Sequence, residues 1–278
     1  MSGPPPPELD PTVAQYYSQA PEEARLEQGP SSLEALRTRE LIERHARRPP
    51  ATILDVGGAA GYYALWLADA GYSVHLVDAA PRLVAEARRR SGTRSRPLAS
   101  CRVGDARALE APDQSVDILL LLGPLYHLTD AGDRARALRE AHRVLRPGGQ
   151  LFAAGISRWA SALDGLSRDL FRDPRFAAIV ERDLQEGQHR NPTERLDYFT
   201  TAYLHRPDEL RAEVLAADLA LDGLYGVEGP GWVLSDVAER LGDPRRSEDL
   251  LRVARQFESD PAVLGVSAHL LVVARRPE

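Results

Sequence analysis

Apolar positions along this chain follow two rhythms. From residue 11 to 48 they recur at helical spacing, interrupted at Gln28-Gly29-Pro30 and stopped by Pro49-Pro50. Short apolar runs then alternate with amphipathic stretches. Residues 52–56, 73–77, 98–103, 116–122 and 150–154 read as strands. Helices are predicted over 61–70, from Pro81 to about 91, and over 133–145, where Leu138, Ala141 and Leu145 share a face. The run at 116–122 is almost wholly apolar, as a strand covered on both faces must be. Such alternation predicts an α/β fold with a doubly wound, mostly parallel sheet and right-handed crossovers.

After Gly155 the alternation breaks. Residues 156–200 read as an irregular helical cap inserted over the carboxyl edge of the sheet. Beyond it come a helix over 207–217, a strand over 219–227, helical segments over 231–259 broken at Gly242-Asp243-Pro244, and a last strand over 266–274. The expected organisation is a disordered Pro-rich tail (1–10), an N-terminal helical lid (11–48), a core (49–155), the cap (156–200) and the completion of the core (201–278).

Composition narrows the chemistry. Every cationic side chain is Arg and none is Lys, which excludes a Walker-type phosphate loop and Schiff-base chemistry. The net charge of −6 argues against a broad nucleic-acid footprint. The single Cys, Cys101, excludes an intramolecular disulfide and a Cys-rich zinc site. No apolar run is long enough to span a bilayer and the N-terminus is not signal-like, so a cytoplasmic protein is expected.

The most informative segment is Ile53-Leu54-Asp55-Val56-Gly57-Gly58-Ala59-Ala60-Gly61, with Asp78 closing the next apolar run. A strand that ends in a Gly-rich turn and opens a helix builds a nucleotide pocket at a sheet edge. The loop is not Gly-x-Gly-x-x-Gly, and Asp55 ahead of it would repel a pyrophosphate while suiting a cationic sulfonium and ammonium.

In this and four further segments the chain resembles the class I S-adenosylmethionine-dependent methyltransferases. Val74–Asp78 is similar to their second strand, whose terminal acid binds the ribose hydroxyls. Gly104-Asp105-Ala106 resembles the loop whose Asp contacts the adenine amino group. Residues 117–128, ending Leu122-Gly123-Pro124-Leu125-Tyr126-His127-Leu128, resemble strand four and its loop; 140–149 resemble the approach to strand five. Ala59 departs from the family's usual middle glycine, tolerably if its φ is negative. The resemblance implies a Rossmann-like seven-stranded sheet and S-adenosylmethionine held by Asp55, Gly57, Gly58, Gly61, Asp78, Asp105, Ala106 and Leu122, with Tyr17 and Arg25 covering it from the lid.

For the chemistry, His127 is the candidate base and Tyr126 its neighbour in the pocket wall; the other reading of His127 is a residue that packs the loop. Trp159, Tyr203 and His205 are candidate acceptor contacts, and Tyr225, Glu228 and Trp232 a further wall. No metal, nucleic acid or membrane is called for. The expected activity is methyl transfer to an N or O nucleophile of a small molecule, with secondary metabolites among the candidate acceptors. A non-methylating protein on the same fold and a nicotinamide-dependent oxidoreductase are the alternatives.

Overall fold

Period-two alternation sorts the strand residues onto two cores. In β1 (Thr52–Val56) and β4 (Val116–Leu121), Leu54, Val56, Leu119 and Leu121 pack on one face and Ile53, Ile118 and Leu120 on the other. Both faces are covered, which explains the near-continuous apolar run of β4. The computed structural model describes residues 10–19, 26, 31–193 and 195–278. Residues 1–9 of the expected Pro-rich tail lie outside these.

β2 (Ser73–Asp78), β3 (Ser100–Val103) and β5 (Leu145–Ser157) join β1 and β4 in parallel register, in the order β3-β2-β1-β4-β5. β9 (His269–Arg275) then pairs antiparallel to β5, and β8 (Ala220–Gly226) antiparallel to β9. These seven strands form the expected doubly wound sheet with one reversed strand, and two short strands from the cap region extend it to nine. One face carries α2 (Ser31–His45), α3 (Tyr62–Asp69) and α4 (Pro81–Ser91), whose Leu41, Ile42, Ala64, Leu67, Val84 and Ala87 are buried there. The other carries α6 (Ala131–Val144) and α9 (Pro207–Leu215), through Leu138, Ala141, Leu210 and Val214. β5 begins five residues before its expected start, because Val116 pairs with Leu145 ahead of a register shift.

Three regions differ from the sequence reading. The loop after β4 is one helical turn, α5 (Pro124–His127). The cap contains α7 (Ala160–Ser167) and α8 (Pro174–Glu186), but also β6 (Gln188–His189). β7 (Ala202–His205), expected with the core, pairs antiparallel to β6 and continues parallel along the end of β5. The lid helix α1 (Pro11–Gln19) bridges cap and core: the carbonyl of Thr12 accepts from Thr200, and that of Tyr17 from Arg82. Near the C-terminus, α10 (Val237–Gly242) and α11 (Pro244–Phe257) flank Asp243, whose carboxylate caps α11. Among the described residues no helix is long and apolar enough to cross a membrane.

Candidate active site

β1 runs into the cleft and its glycines set the floor. Gly57 sits at φ +74°, and a Cβ there would lie 2.6 Å from Pro124 Cδ at the start of α5. A Cβ on Gly58 would lie 2.7 Å from Asp55 Oδ2. The backbone must therefore pass between α5 and Asp55 without side chains. Ala59 corrects an expectation: its φ is +46°, not negative. Its N–H donates to Asp78 Oδ2 at 2.8 Å, which holds the residue in the left-handed region. Ala59→Gly is expected to raise stability by roughly 0.5–1 kcal/mol, read as a higher urea midpoint with unchanged slope; a lower midpoint would show that the methyl group packs usefully.

Two carboxylates converge under this loop. Asp55 is 2% exposed and its Oδ2 has no hydrogen-bond partner among the described residues. Burial, and then the nearby Asp78 charge, push its pKa up to about 7. Burial also raises Asp78, opposed by amide donors from Ala80 to Oδ1 and Ala59 to Oδ2. Two such groups at one cleft call for a bound cation and hydroxyl donors. Asp105 lies further along, clamped by Arg107 (Nη2–Oδ2 2.6 Å), which also reaches Asp133.

The roof comes from α1 and α5. Tyr17 OH lies 2.6 Å from His127 Nε2, and His127 Nδ1 lies 3.3 Å from the Thr201 carbonyl. The carbonyl can only accept, so Nδ1 carries the proton and Nε2 accepts from the tyrosine. Tyr126 is buried with its ring edge-on to His127. Beyond this roof a second chamber opens under the cap, walled by Tyr16, Phe176, Tyr198, Phe199 and Trp232. Tyr17, Tyr126 and His269 line both spaces and mark their junction.

Comparison with known proteins follows the same outline. Residues 54–153 match the family model described as a methyltransferase domain. The chain is 30% identical over 173 residues to the ubiquinone/menaquinone biosynthesis C-methyltransferase of Acidiphilium cryptum, covering 62% of this chain. It is 35% identical over 118 residues to the ubiquinone biosynthesis O-methyltransferase of Methylocella silvestris, covering 42% of this chain. These stretches span 66% and 44% of the two relatives, less than two thirds of either. The crystal structure of an S-adenosylmethionine-dependent methyltransferase from Mesorhizobium loti shares the fold, with a TM-score of 0.58, 19% identity, and coverage of 88% of this chain and 100% of that one.

Residues 54–153 carry a methyltransferase domain, on the fold of the S-adenosylmethionine-dependent methyltransferases. S-Adenosylmethionine is the cofactor such a domain takes, and the donor set suits it. The orphaned Asp55 oxygen asks for a positive charge, Gly57 and Gly58 present bare backbone to the cleft, and Asp78 has acceptor capacity there. A nicotinamide dinucleotide would instead bring a pyrophosphate to two carboxylates.

Within this methyltransferase domain the named residues divide. Tyr17, Asp55, Gly57, Gly58, Asp78, Asp105, Ala106, Leu122, Tyr126 and His127 all line the cleft. Gly61, at φ +87°, does not; it starts α3 and its amide closes the turn onto the Gly58 carbonyl. Arg25 lies outside the described residues. His127, expected as a base, has protein partners at both ring nitrogens.

Trp159, Tyr203 and His205 are corrections. Trp159 packs over Gly265 and lines a separate groove with Pro207 and Arg211. On β7 the period of two turns Leu204 into the chamber and its neighbours away from it. Tyr203 therefore stacks under Arg134, 3.8 Å from its ring, and bonds Glu209. His205 is fully buried against Gly155 and Glu213, and burial lowers its pKa.

Two residues of the cleft wall, Glu34 and His269, have no counterpart in the sequence reading, and Glu228 was expected only as a wall. The available signal was topological. If the last strand is antiparallel, its first residue and the residue following β8 meet at the carboxyl edge.

Proposed function

We propose that this protein transfers a methyl group from S-adenosylmethionine to an N or O nucleophile of a small, largely aromatic acceptor. The observation that supports it is the junction: an aromatic chamber opens onto the cofactor cleft where Tyr17, Tyr126 and His269 line both. Bound S-adenosylmethionine supplies an electrophilic methyl group on a sulfonium.

The protein's own residues bind, align and exclude water. Asp78 accepts from the ribose hydroxyls, Asp55 faces the cationic end, and Gly57-Gly58 let the backbone approach. Tyr17, anchored on His127, closes the cleft from above, and Tyr126 separates cofactor from acceptor. Alignment of nucleophile, methyl carbon and sulfur is the principal catalytic demand of an in-line displacement. The acidic chain and the aromatic lining of the chamber favour a small molecule over a nucleic acid.

The test is incubation with methyl-labelled S-adenosylmethionine and a panel of small phenols, amines and hydroxy-heterocycles. Labelled product with at least one of them is expected. Tight cofactor binding with no transfer to any would favour a non-methylating role on the same fold.

A further inference from the structure

Outside the residues assigned above, one cluster of titratable groups borders the reacting space. It forms where β8 leaves the sheet and β9 enters it. Glu228 follows β8 and is 2% exposed; His269 opens β9 and lines both the cleft and the chamber. His269 Nδ1 lies 2.5 Å from Glu228 Oε1. Glu228 Oε2 accepts from Ser267 Oγ at 2.7 Å and from the His269 amide at 3.0 Å. Ser267 Oγ in turn accepts from the Glu228 amide at 2.8 Å. The carboxylate is thus fixed by three donors, and the dyad is anchored where β8 and β9 share one end.

This geometry sets the tautomer. A carboxylate can only accept, so the imidazole proton sits on Nδ1 and Nε2 carries the lone pair. Glu34, from α2, places its Oε2 4.0 Å from the same Nδ1, a second carboxylate beside the ring. Glu34, Glu228 and His269 are also close enough together to suggest a metal. The direct Nδ1–Oε1 contact speaks against that, because ligands sharing one ion stand roughly 3 Å or more apart.

We propose that His269, oriented by Glu228, is the general base for a hydroxyl acceptor held in the aromatic chamber. The proposal rests on the methyl-transfer reading above and narrows it to O-methylation of phenol-like molecules. The acceptor O–H bond breaks and its proton passes to His269 Nε2. The oxygen pair forms the new C–O bond as the S–CH3 pair returns to sulfur, leaving a methyl ether and a neutral thioether. Glu228 and Glu34 hold the imidazolium until its proton passes to water. His269 is the catalytic residue here and Glu228 a positioning residue.

The experiment compares two probes, 4-methylphenol, which is protonated at about pH 8, and 4-nitrophenol, which is largely ionised there. His269→Gln is expected to lower the rate with 4-methylphenol by about 10²- to 10⁴-fold and with 4-nitrophenol by less than about tenfold. Thermal melting should give a midpoint close to that of wild type, which reports an intact fold. Glu228→Gln should give a smaller loss of the same selectivity. It should also shift a downfield imidazole N–H proton resonance that is absent from His269→Gln. An equal loss with both phenols would make His269 a shaping residue and overturn the proposal, as would no loss with either or abolition of wild-type transfer by EDTA. Wild type that binds the cofactor but methylates amines and neither phenol would overturn the base while sparing the methyltransferase. Transfer to no acceptor at all would remove both.

Discussion

Replacing Asp78 by alanine is expected to weaken S-adenosylmethionine binding by roughly 10²- to 10⁴-fold, about the loss of two hydrogen bonds to a charged acceptor. The carboxylate ends β2 at the carboxyl edge, 9% exposed. One oxygen already accepts from Ala80 and the other from Ala59, leaving the second lone pair of each for a ligand's paired hydroxyls. The substitution also frees the Ala59 amide, which then no longer holds a left-handed alanine in place. Loss of a buried carboxylate beside Asp55 relieves repulsion, so the melting temperature should fall little. Affinity and stability therefore separate, and calorimetry with thermal melting reads both. Asp78→Asn should lie between, since its amide serves one backbone donor and faces the other with an NH2. His127→Ala, which touches the lid rather than the ribose site, should cost less than about tenfold. An unchanged Kd in a folded Asp78→Ala protein would remove Asp78 from the binding site.

The second large effect belongs to Asp55 and pH. Its folded pKa is about 7, above the ordinary 3.8 of the unfolded chain. The folded protein therefore binds more protons between these values, and its stability falls as pH rises from 3.8 towards 7, then levels. At 1.4 kcal/mol per pH unit the loss across that window is at most roughly 4 kcal/mol for the cofactor-free protein. Asp55→Asn should abolish this component: denaturant curves at pH 8 should show the variant more stable than wild type, and at pH 4 nearly equal. The cofactor reverses the sign for binding. A cationic ligand favours the carboxylate, so uptake below pH 7 releases a proton and affinity climbs with pH towards 7. Calorimetry in two buffers of different ionisation enthalpy measures that release. Buffer-independent heats at pH 6 would show that Asp55 does not sense the ligand's charge.

Much of this was legible in the chain because it depends on local pattern. Alternating apolar runs located the strands of the core, and Gly57-Gly58 after an apolar strand marked a backbone that must pass close to a ligand. Asp78 was legible because a carboxylate closing an apolar run must emerge at a sheet edge. The misplacements fall where register decides. Tyr203 and His205 were expected at the acceptor because the segment overhangs the crevice, but β7 presents Leu204 there and turns both neighbours to Arg134 and Glu213. Trp159 was misplaced because a side chain at the start of a cap helix can face either groove. Ala59 shows the limit of propensity: a tertiary bond from Asp78 fixes a backbone angle that alanine alone disfavours.

The sequence by itself determined the doubly wound sheet, the glycine loop and the order of the carboxylates along the cofactor cleft. Hydrophobic period and turn chemistry act over a few residues and are written in neighbouring positions. Only the tertiary structure decided that His127 supports Tyr17, and that Glu228 meets His269 across 41 residues of chain. That meeting follows from the reversed direction of β9, a global choice of strand pairing that brings distant polar residues to one edge.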